Sequence, residues 1–343
     1  MEAPGFVLDD CYLLHDPGYS HIESPKRLLA IKQALASAGT AERWQRLQPR
    51  LAQPDELELV HTVGHVERVR LAAKLAPSYL DPDTVVCSES YRTGLLAVGG
   101  VLECVDAICK GSLRKAFAFV RPPGHHAGPA KAMGFCLFNN VALAAAYARA
   151  VHRLERVAVV DNDLHHGNGT QAVFYDDPHV LYISSHQFPF YPGTGNFDEI
   201  GRKEGKGYTL NFPLPAGTND STFVPIYSKI VRPILEQYQP QLILVSAGFD
   251  AHFKDPLGNL RITQNGYASS AASLIRAAEH CCDGRICFVL EGGYSFEALT
   301  ECTQAVMAEM EGNRPREREL PQSPLFHNIS ERLKEVAGFL WKW

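Results

Sequence analysis

Four short polar motifs carry the residue types that hold metal ions and move protons. They are Arg-Pro-Pro-Gly-His-His at 121–126, Asp-Asn-Asp-Leu-His-His-Gly-Asn-Gly-Thr at 161–170, Ser-Ala-Gly-Phe-Asp at 246–250 and Glu-Gly-Gly-Tyr at 291–294. Each motif follows a short apolar run rich in β-branched residues, a pattern typical of a buried strand. Because ligands bind beyond the carboxyl ends of the strands in an open parallel sheet, we expect the four motifs to converge on one crevice.

Asp163, His165 and Asp250 are the predicted metal ligands. The first two are two residues apart, and in an extended segment that spacing places both side chains on one face. Asp250, at another strand end, can supply a third ligand and leave a fourth position open for water and a substrate carbonyl. An imidazole with two carboxylates suits zinc, and also iron(II) or cobalt. The alternative for Asp163 and His165 is a hydrogen-bonded pair in a loop, which the neighbouring motifs disfavour.

His125, His126 and Tyr294 are the predicted catalytic groups. The two histidines follow a Pro-Pro-Gly turn, which holds both imidazoles near a strand end. Imidazole titrates near neutral pH, so it can carry a proton during amide hydrolysis. The phenol of Tyr294 can donate a hydrogen bond to a developing oxyanion. The alternative for each is a structural role, in a turn for the histidines and at the sheet edge for the tyrosine.

Three other histidines are predicted to lie outside the chemistry. His61 and His65 are four residues apart, but Thr62 stands where a zinc protease needs glutamate, so both are interpreted as structural. His252 follows Asp250 by two residues and could be a fourth ligand. Because an open catalytic site does not need one, we expect His252 in the wall or rim.

Alternating strands and helices must position these motifs. Predicted strands span 116–120, 157–160, 180–184, 208–212, 242–246 and 286–290, and predicted helices span 24–37, 140–151, 223–238 and 266–281. This alternation predicts one large α/β domain whose mostly parallel, doubly wound sheet is flanked by helices. The catalytic domain is predicted at 1–310. A C-terminal extension is predicted at 311–343, with a proline-containing linker at 311–323 and a terminal helix at 329–339 packed on the domain.

Composition narrows the class of protein. The chain has 343 residues, 45% hydrophobic and 21% charged, with a net charge of −5, which predicts a globular protein without a basic surface for direct nucleic-acid binding. The nine cysteines include no CxxC pair, which favours reduced thiols and a cytoplasmic location. The acidic start of the chain does not resemble a signal peptide, and no membrane partner is expected. A homo-oligomer is left open.

The four motifs together resemble the signature set of the zinc-dependent histone deacetylases. The resemblance is closest to class II, including bacterial histone deacetylase-like amidohydrolases and the related acetylpolyamine amidohydrolases, and it runs from about His21 to about Tyr294. It implies an arginase/deacetylase-like fold. It also implies zinc on Asp163, His165 and Asp250, and hydrolysis of an acetylated amine.

The resemblance also implies a role for each polar residue of the motifs. His126 would be the general base and then the general acid, and His125 its electrostatic partner. Tyr294 would polarise the acetyl carbonyl, while Asp161 would hold His125 and Asn168 would hold His126. A neutral amide orients an imidazole without favouring its charged form, so Asn168 would leave His126 a free base near pH 7.

Two potassium sites and a substrate tunnel are further implications of the resemblance. The first potassium site, formed mostly by backbone carbonyls, would use Asp161, Asp163, His165, Ser184 and Ser185. The second would use Phe174, Asp177, Val180 and Tyr208. The tunnel walls would be Phe135, Tyr191 and Leu257, with Asp83 and Thr84 contacting the substrate backbone.

The amine that carries the acetyl group is the least constrained feature. Leu257 stands where polyamine deacetylases can place a glutamate, and leucine offers no charge for a second ammonium, so acetyl-lysine in a protein or peptide is expected before an acetylated polyamine. Two further alternatives are a non-catalytic acyl-lysine-binding protein, disfavoured by the presence of His126 and Tyr294, and an arginase-like ureohydrolase, disfavoured by too few aspartates. Asn162 departs from the family, which usually carries an apolar or aromatic residue there.

Overall fold

An eight-stranded parallel sheet forms the centre of the protein in this computed structural model, which describes residues 3–312 and 320–343. In chain order the strands are β1 Gly5–Val7, β2 Gln45–Leu47, β3 Ser78–Asp81, β4 Thr84–Val86, β5 Lys115–Ala118, β6 Val157–Asp161, β7 Val180–Gln187, β8 Thr209–Leu214, β9 Leu242–Ala247 and β10 Ile286–Leu290. The sheet order is β2-β1-β5-β10-β9-β6-β7-β8, and every neighbouring pair is parallel. Strands β3 and β4 form a separate antiparallel pair.

Helices flank this sheet. They are α1 Pro25–Ser37, α2 Thr40–Arg43, α3 Pro54–Leu57, α4 Val63–Lys74, α5 Ser90–Cys109, α6 Asn140–Ala150, α7 Asn168–Phe174, α8 Asp220–Ile226, α9 Arg232–Tyr238, α10 Gln264–Cys282, α11 Phe296–Met310 and α12 Pro324–Ala337. Helix α5 packs on α6, and α11 packs on both α1 and α10. The predicted fold class is therefore confirmed.

The sheet order explains why the four polar motifs meet. They follow β5, β6, β9 and β10, which are consecutive neighbours in the sheet in the order β5, β10, β9, β6. Because all four strands run in the same direction, their carboxyl ends lie at one edge. Every residue of β6, β9 and β10 is buried, which agrees with their continuous apolar sequences.

Several element boundaries differ from the predictions. The stretch predicted as one helix at 223–238 is α8, a π-helical turn at Tyr227–Val231, and α9. Pro225 lies inside α8 and Pro233 in the first turn of α9, and neither has an N–H to donate, so regular α-helical hydrogen bonding is interrupted on both sides of this turn. The short strands β1 and β2 were not predicted, because three residues carry too little pattern.

The C-terminal helix begins earlier than predicted. Helix α12 starts at Pro324 rather than at 329, because the Ser323 side chain accepts a hydrogen bond from the Phe326 N–H and proline is favoured in the first turn. It ends at Ala337 and packs against α8 and β8. Part of the predicted linker, residues 313–319, lies outside the described residues, and the domain boundary at 310 stays a prediction. Among the described residues, no helix is long and apolar enough to span a membrane.

Candidate metal centre and active site

The predicted metal ligands meet at the carboxyl ends of β6 and β9. One ligand atom from each of Asp163, His165 and Asp250 lies within 4.8 Å of the other two. The His165 Nδ1 is 3.1 Å from an oxygen of Asp163 and 3.1 Å from an oxygen of Asp250. Both aspartates are buried, so three donor atoms face one small volume.

Main-chain groups hold the two carboxylates in place. One oxygen of Asp163 accepts from the Gly292 N–H at 2.8 Å, and the other accepts from the His165 N–H at 2.8 Å. Asp250 accepts from the Leu164 N–H at 2.8 Å. The motif after β10 therefore helps to orient a ligand that follows β6.

The buried groups at this centre shift one another's pKa values. Burial raises the pKa of Asp250 to about 7, and the neighbouring Asp163 charge adds to the effect. Burial alone would lower the pKa of His165, but its hydrogen bonds to the two carboxylates outweigh burial and raise that pKa to about 10. Two buried carboxylates that repel each other favour a cation between them.

The tandem histidines lie beside the centre, and each has its own partner. The His125 Nδ1 is 3.1 Å from an oxygen of Asp161, and its Nε2 is 3.8 Å from an oxygen of Asp163. The His126 Nδ1 is 2.7 Å from the amide oxygen of Asn168. An amide oxygen only accepts, so this contact places the proton on Nδ1 and leaves the Nε2 lone pair of His126 free.

The two imidazoles therefore differ in charge. Burial lowers the pKa of His126 well below its usual value, and the positive charges of His125 and His165 add to this effect. For His125 burial opposes protonation, but the carboxylates of Asp163 and Asp161 outweigh it and raise its pKa. The geometry thus favours a neutral His126 beside a cationic His125.

Tyr294 faces the same cavity from the segment after β10. Its ring lies 4.8 Å from the guanidinium carbon of the buried Arg27 and makes an edge contact with Phe135 at 6.0 Å. Arg27 also donates to the carbonyl of Gly293 at 2.6 Å. Burial raises the pKa of the Tyr294 phenol well above its usual value, so the hydroxyl keeps its proton and can donate it in a hydrogen bond.

A narrow cavity of about 110 Å³ opens from this centre toward the surface. Its lining includes all three predicted tunnel residues, Phe135, Tyr191 and Leu257. Tyr191 makes edge contacts with the rings of His126 and His165 at 5.2 and 6.1 Å. The cavity has the apolar walls that suit an aliphatic stem, and polar groups lie at its inner end.

The predicted cation-binding residues lie in two groups. Asp161 and Ser184 are paired across β6 and β7, the Ser184 hydroxyl is 2.8 Å from the His186 Nδ1, and the Ser185 hydroxyl is 2.7 Å from that of Tyr227. In the second group the carbonyls of Phe174 and Tyr208 accept main-chain N–H groups, and the side chain of Asp177 pairs with Arg149. Val180 begins β7. Both potassium sites stay predictions.

Comparison with known proteins agrees with these motifs. Residues 21–310 match the family model described as the histone deacetylase domain. The chain belongs to the histone deacetylase family. The match covers most of the chain and includes all four polar motifs.

Individual relatives and a solved structure are also similar to this chain over most of its length. The histone deacetylase-like amidohydrolase of Pseudomonas aeruginosa is 38% identical over 93% of this chain and 86% of its own length. The human polyamine deacetylase HDAC10 is 39% identical over 84% of this chain, which spans only 44% of that protein. The crystal structure of the HDA15 HD domain superposes with a TM-score of 0.91 and 36% identity, covering 99% of this chain and 95% of that one.

His61, His252 and Asn162 lie outside the cluster of ligand atoms. His61 hydrogen-bonds the carbonyl of Gly128 at 3.0 Å and accepts from the Asn139 N–H at 2.9 Å, which agrees with a structural role. His252 is buried and does not belong to the three-residue cluster of ligand atoms. The Asn162 side-chain oxygen is buried without a protein hydrogen-bond partner.

Sequence reasoning missed a set of buried ionic groups beside this site. Glu23 accepts from Arg27 at 2.9 Å and from Arg121 at 2.6 Å, and all three side chains are fully buried. One oxygen of Glu291 accepts from the N–H groups of Gly124 and His125, at 2.7 and 3.1 Å. Arg121 and Glu291 stand inside two of the quoted motifs, just after β5 and β10, and that position was the available signal. Glu23 precedes α1 and belongs to none of the four motifs.

Proposed function

We propose that this chain is a zinc-dependent deacetylase that hydrolyses the acetyl amide of acetylated lysine side chains in proteins or peptides. The observation that carries the proposal is the convergence of Asp163, His165 and Asp250 at the inner end of a cavity that also contains His126 and Tyr294. Membership of the histone deacetylase family supports the reaction class.

The donor atoms fit a divalent cation of the zinc type. Two carboxylate oxygens and one imidazole nitrogen form a three-ligand set, and the cavity above them leaves room for a fourth ligand. Asp163, His165 and Asp250 would hold the ion, and iron(II) is compatible with the same donors. When bound, zinc acts as a Lewis acid that makes water more acidic and the acetyl carbonyl more electrophilic.

Each side chain of the site then has a separate role in the reaction. The free Nε2 of His126 accepts the proton of the attacking water and later returns it to the leaving amine, while Asn168 fixes the ring. Cationic His125, held by Asp161, balances the negative charge that accumulates as the carbonyl is attacked. Tyr294 donates a hydrogen bond to the developing oxyanion.

The substrate choice depends on the walls and mouth of the cavity. Phe135, Tyr191 and Leu257 present rings and methyl groups to an aliphatic stem whose ammonium charge has been removed by acetylation. Leu257 has no charge to attract a second ammonium, which favours acetyl-lysine. Asp83 also lines the cavity and is proposed to bind the peptide backbone.

Acetylated polyamines are the second candidate substrates. A human relative named as a polyamine deacetylase is 39% identical to this chain, which favours keeping this candidate. A non-catalytic acyl-lysine-binding role is disfavoured because His126 and Tyr294 both face the cavity.

We further propose that potassium binds at two sites, one at Asp161, Ser184 and Ser185 and the other at Phe174, Asp177, Val180 and Tyr208. We also propose that the chain acts in the cytoplasm.

The test is hydrolysis of a fluorogenic acetyl-lysine peptide in the presence and absence of a chelator and a hydroxamate. We expect turnover that both agents abolish and that added zinc restores after chelation. Turnover that is unaffected by chelation would contradict a metal-dependent reaction. Measuring kcat/KM for acetylspermidine and acetylputrescine beside the peptide decides the substrate class, and a clear preference for either polyamine would reverse the choice of acetyl-lysine.

A further inference from the structure

We propose that Asp255 is a positioning residue that couples the oxyanion donor Tyr294 to the tunnel wall at Leu257. The inference deepens the proposed deacetylase function, on which its kinetic consequence depends. Asp255 lies in the loop between β9 and α10, five residues after the ligand Asp250, and is not itself part of the ligand cluster.

The carboxylate of Asp255 connects two separate segments of the chain. One oxygen accepts from the N–H groups of Tyr294 and Ser295, at 2.6 and 3.1 Å, and the other accepts from the N–H of Leu257 at 3.0 Å. The side chain is only 6% exposed. A single buried group therefore holds the main chain of two segments that line the cavity.

The position of the Tyr294 main chain matters because the ring is confined. Arg27 lies against the ring at 4.8 Å, and Phe135 contacts it at 6.0 Å. Because these neighbours confine the ring, the side chain cannot compensate for a shift of the Tyr294 main chain. Such a shift therefore moves the phenol oxygen. A displacement of about 1 Å in a catalytic group can cost on the order of 10²-fold in rate.

The same carboxylate also holds the segment that carries Leu257. Its bond to the Leu257 N–H forms a local turn that presents Leu257 to the cavity. The loop is also tied to the segment after β10 at its start, where the Phe249 N–H donates to the Gly292 carbonyl at 3.0 Å. Asp255 adds the second tie, at the level of Tyr294 and Leu257. Movement of the wall is thereby transmitted to the oxyanion donor.

The variant that separates these bonds is Asp255→Asn. Asparagine has the same size but only one acceptor oxygen, so its NH₂ group must face either Leu257 or the Tyr294 and Ser295 pair as a second donor. The matched control is Asp220→Asn. The Asp220 side chain accepts from the N–H of Thr263 at 2.9 Å. Thr263 lies at the far end of the loop that contains Asp255.

Hydrogen–deuterium exchange reports the coupling without any substrate. We expect Asp255→Asn to raise exchange by about tenfold or more in peptides covering 256–258 and 292–296 together, while the control leaves 292–296 unchanged. Faster exchange at 256–258 alone, or in neither peptide, would overturn the proposal. Should Asp255→Asn not fold, Asp255→Ser is measured in the same way. This readout is independent of whether the chain turns over any acetylated substrate.

A double-mutant cycle with Tyr294→Phe tests the catalytic consequence. We expect Asp255→Asn to lower kcat by about 30-fold with KM changed less than about threefold, and to cost less than about twofold when Tyr294 is already phenylalanine. If the effects of the two substitutions on kcat were fully additive, Asp255 would not act through Tyr294. Inactivity of the unmodified protein and of Asp220→Asn would instead contradict the proposed function, and the exchange result would still decide the coupling.

Discussion

At the scale of single residues, the side chains of the site have different protonation states because their environments differ. His126 and His125 are adjacent in sequence, yet one has a neutral amide as its partner and the other a carboxylate. The amide leaves a free base, and the carboxylate stabilises a cation. Tyr294 keeps its proton because the phenol is buried.

Tyr294→Phe removes the hydroxyl and leaves the ring contacts with Arg27 and Phe135 in place. We expect kcat to fall by about 10²- to 10³-fold, the effect of losing one oxyanion donor, while metal content is unchanged. Steady-state kinetics and metal analysis of the purified variant check this. An unchanged kcat would remove the phenol from the chemistry.

Asn168→Asp replaces the neutral partner of His126 with a carboxylate. A carboxylate stabilises the imidazolium, so the pKa of His126 rises and the free base is lost over more of the pH range. We expect the acidic limb of the kcat/KM profile to move up by about one pH unit or more. Asn168→Leu is the control, since it removes the partner without adding charge, and its acidic limb should not move upward.

At the scale of elements, α12 and the residues after it attach to the edge of the sheet far from the chemistry. The buried Trp341 donates to the Gly207 carbonyl at 2.7 Å and contacts the rings of Tyr208 and Tyr238. These contacts lie before β8, at the amino-terminal side of the strand, whereas the active site lies beyond the carboxyl ends. The C-terminal segment therefore packs at the end of the strands opposite the active site.

Trp341→Ala should separate stability from activity. Removing a buried tryptophan leaves a cavity and an unpaired carbonyl, and we expect the free energy of unfolding to fall by about 3–5 kcal/mol. Turnover per folded molecule at a temperature below the transition should be unchanged. Urea unfolding together with kinetics measures both quantities, and a stable but inactive variant would show that this edge communicates with the active site.

At the scale of the whole molecule, buried histidines make the fold sensitive to acid. Burial lowers the pKa of His15 to about 4 and that of His61 to about 3. The unfolded chain, with ordinary histidines, binds protons below about pH 6.5, whereas the folded chain does not until far lower pH. Stability is therefore fully present above this range and falls as the pH drops from about 6.5 toward 4.

We expect the free energy of unfolding to decline by up to about 1.4 kcal/mol per pH unit for each such histidine in this window. Urea unfolding at several pH values between 7 and 4 measures the slope. His61→Asn should be less stable at pH 7 but lose less on acidification, since one titrating group is gone. An equal slope in both proteins would exclude His61 from the acid response.

Local sequence patterns predicted the fold class, six of the eight strands of the main sheet and the four motifs that follow four of them. These features depend on local pattern: apolar runs of five or six residues are visible without their neighbours, and motif spacing fixes which side chains share a loop. Asp163 and His165 could be paired from their two-residue separation alone. Such patterns do not reveal short elements, here the three-residue strands β1 and β2 and the π-helical turn at Tyr227–Val231.

Contacts between groups that are far apart in the sequence could be assigned only from the folded structure. Asp255 and Tyr294 are 39 residues apart, and Glu23 and Arg121 are 98 apart, so no local pattern could pair them. The physical reason is that main-chain N–H groups and buried charges acquire partners only when the loops after neighbouring strands are packed together. The chemistry of the site was encoded in residue types, whereas its geometry was set by the order of the strands.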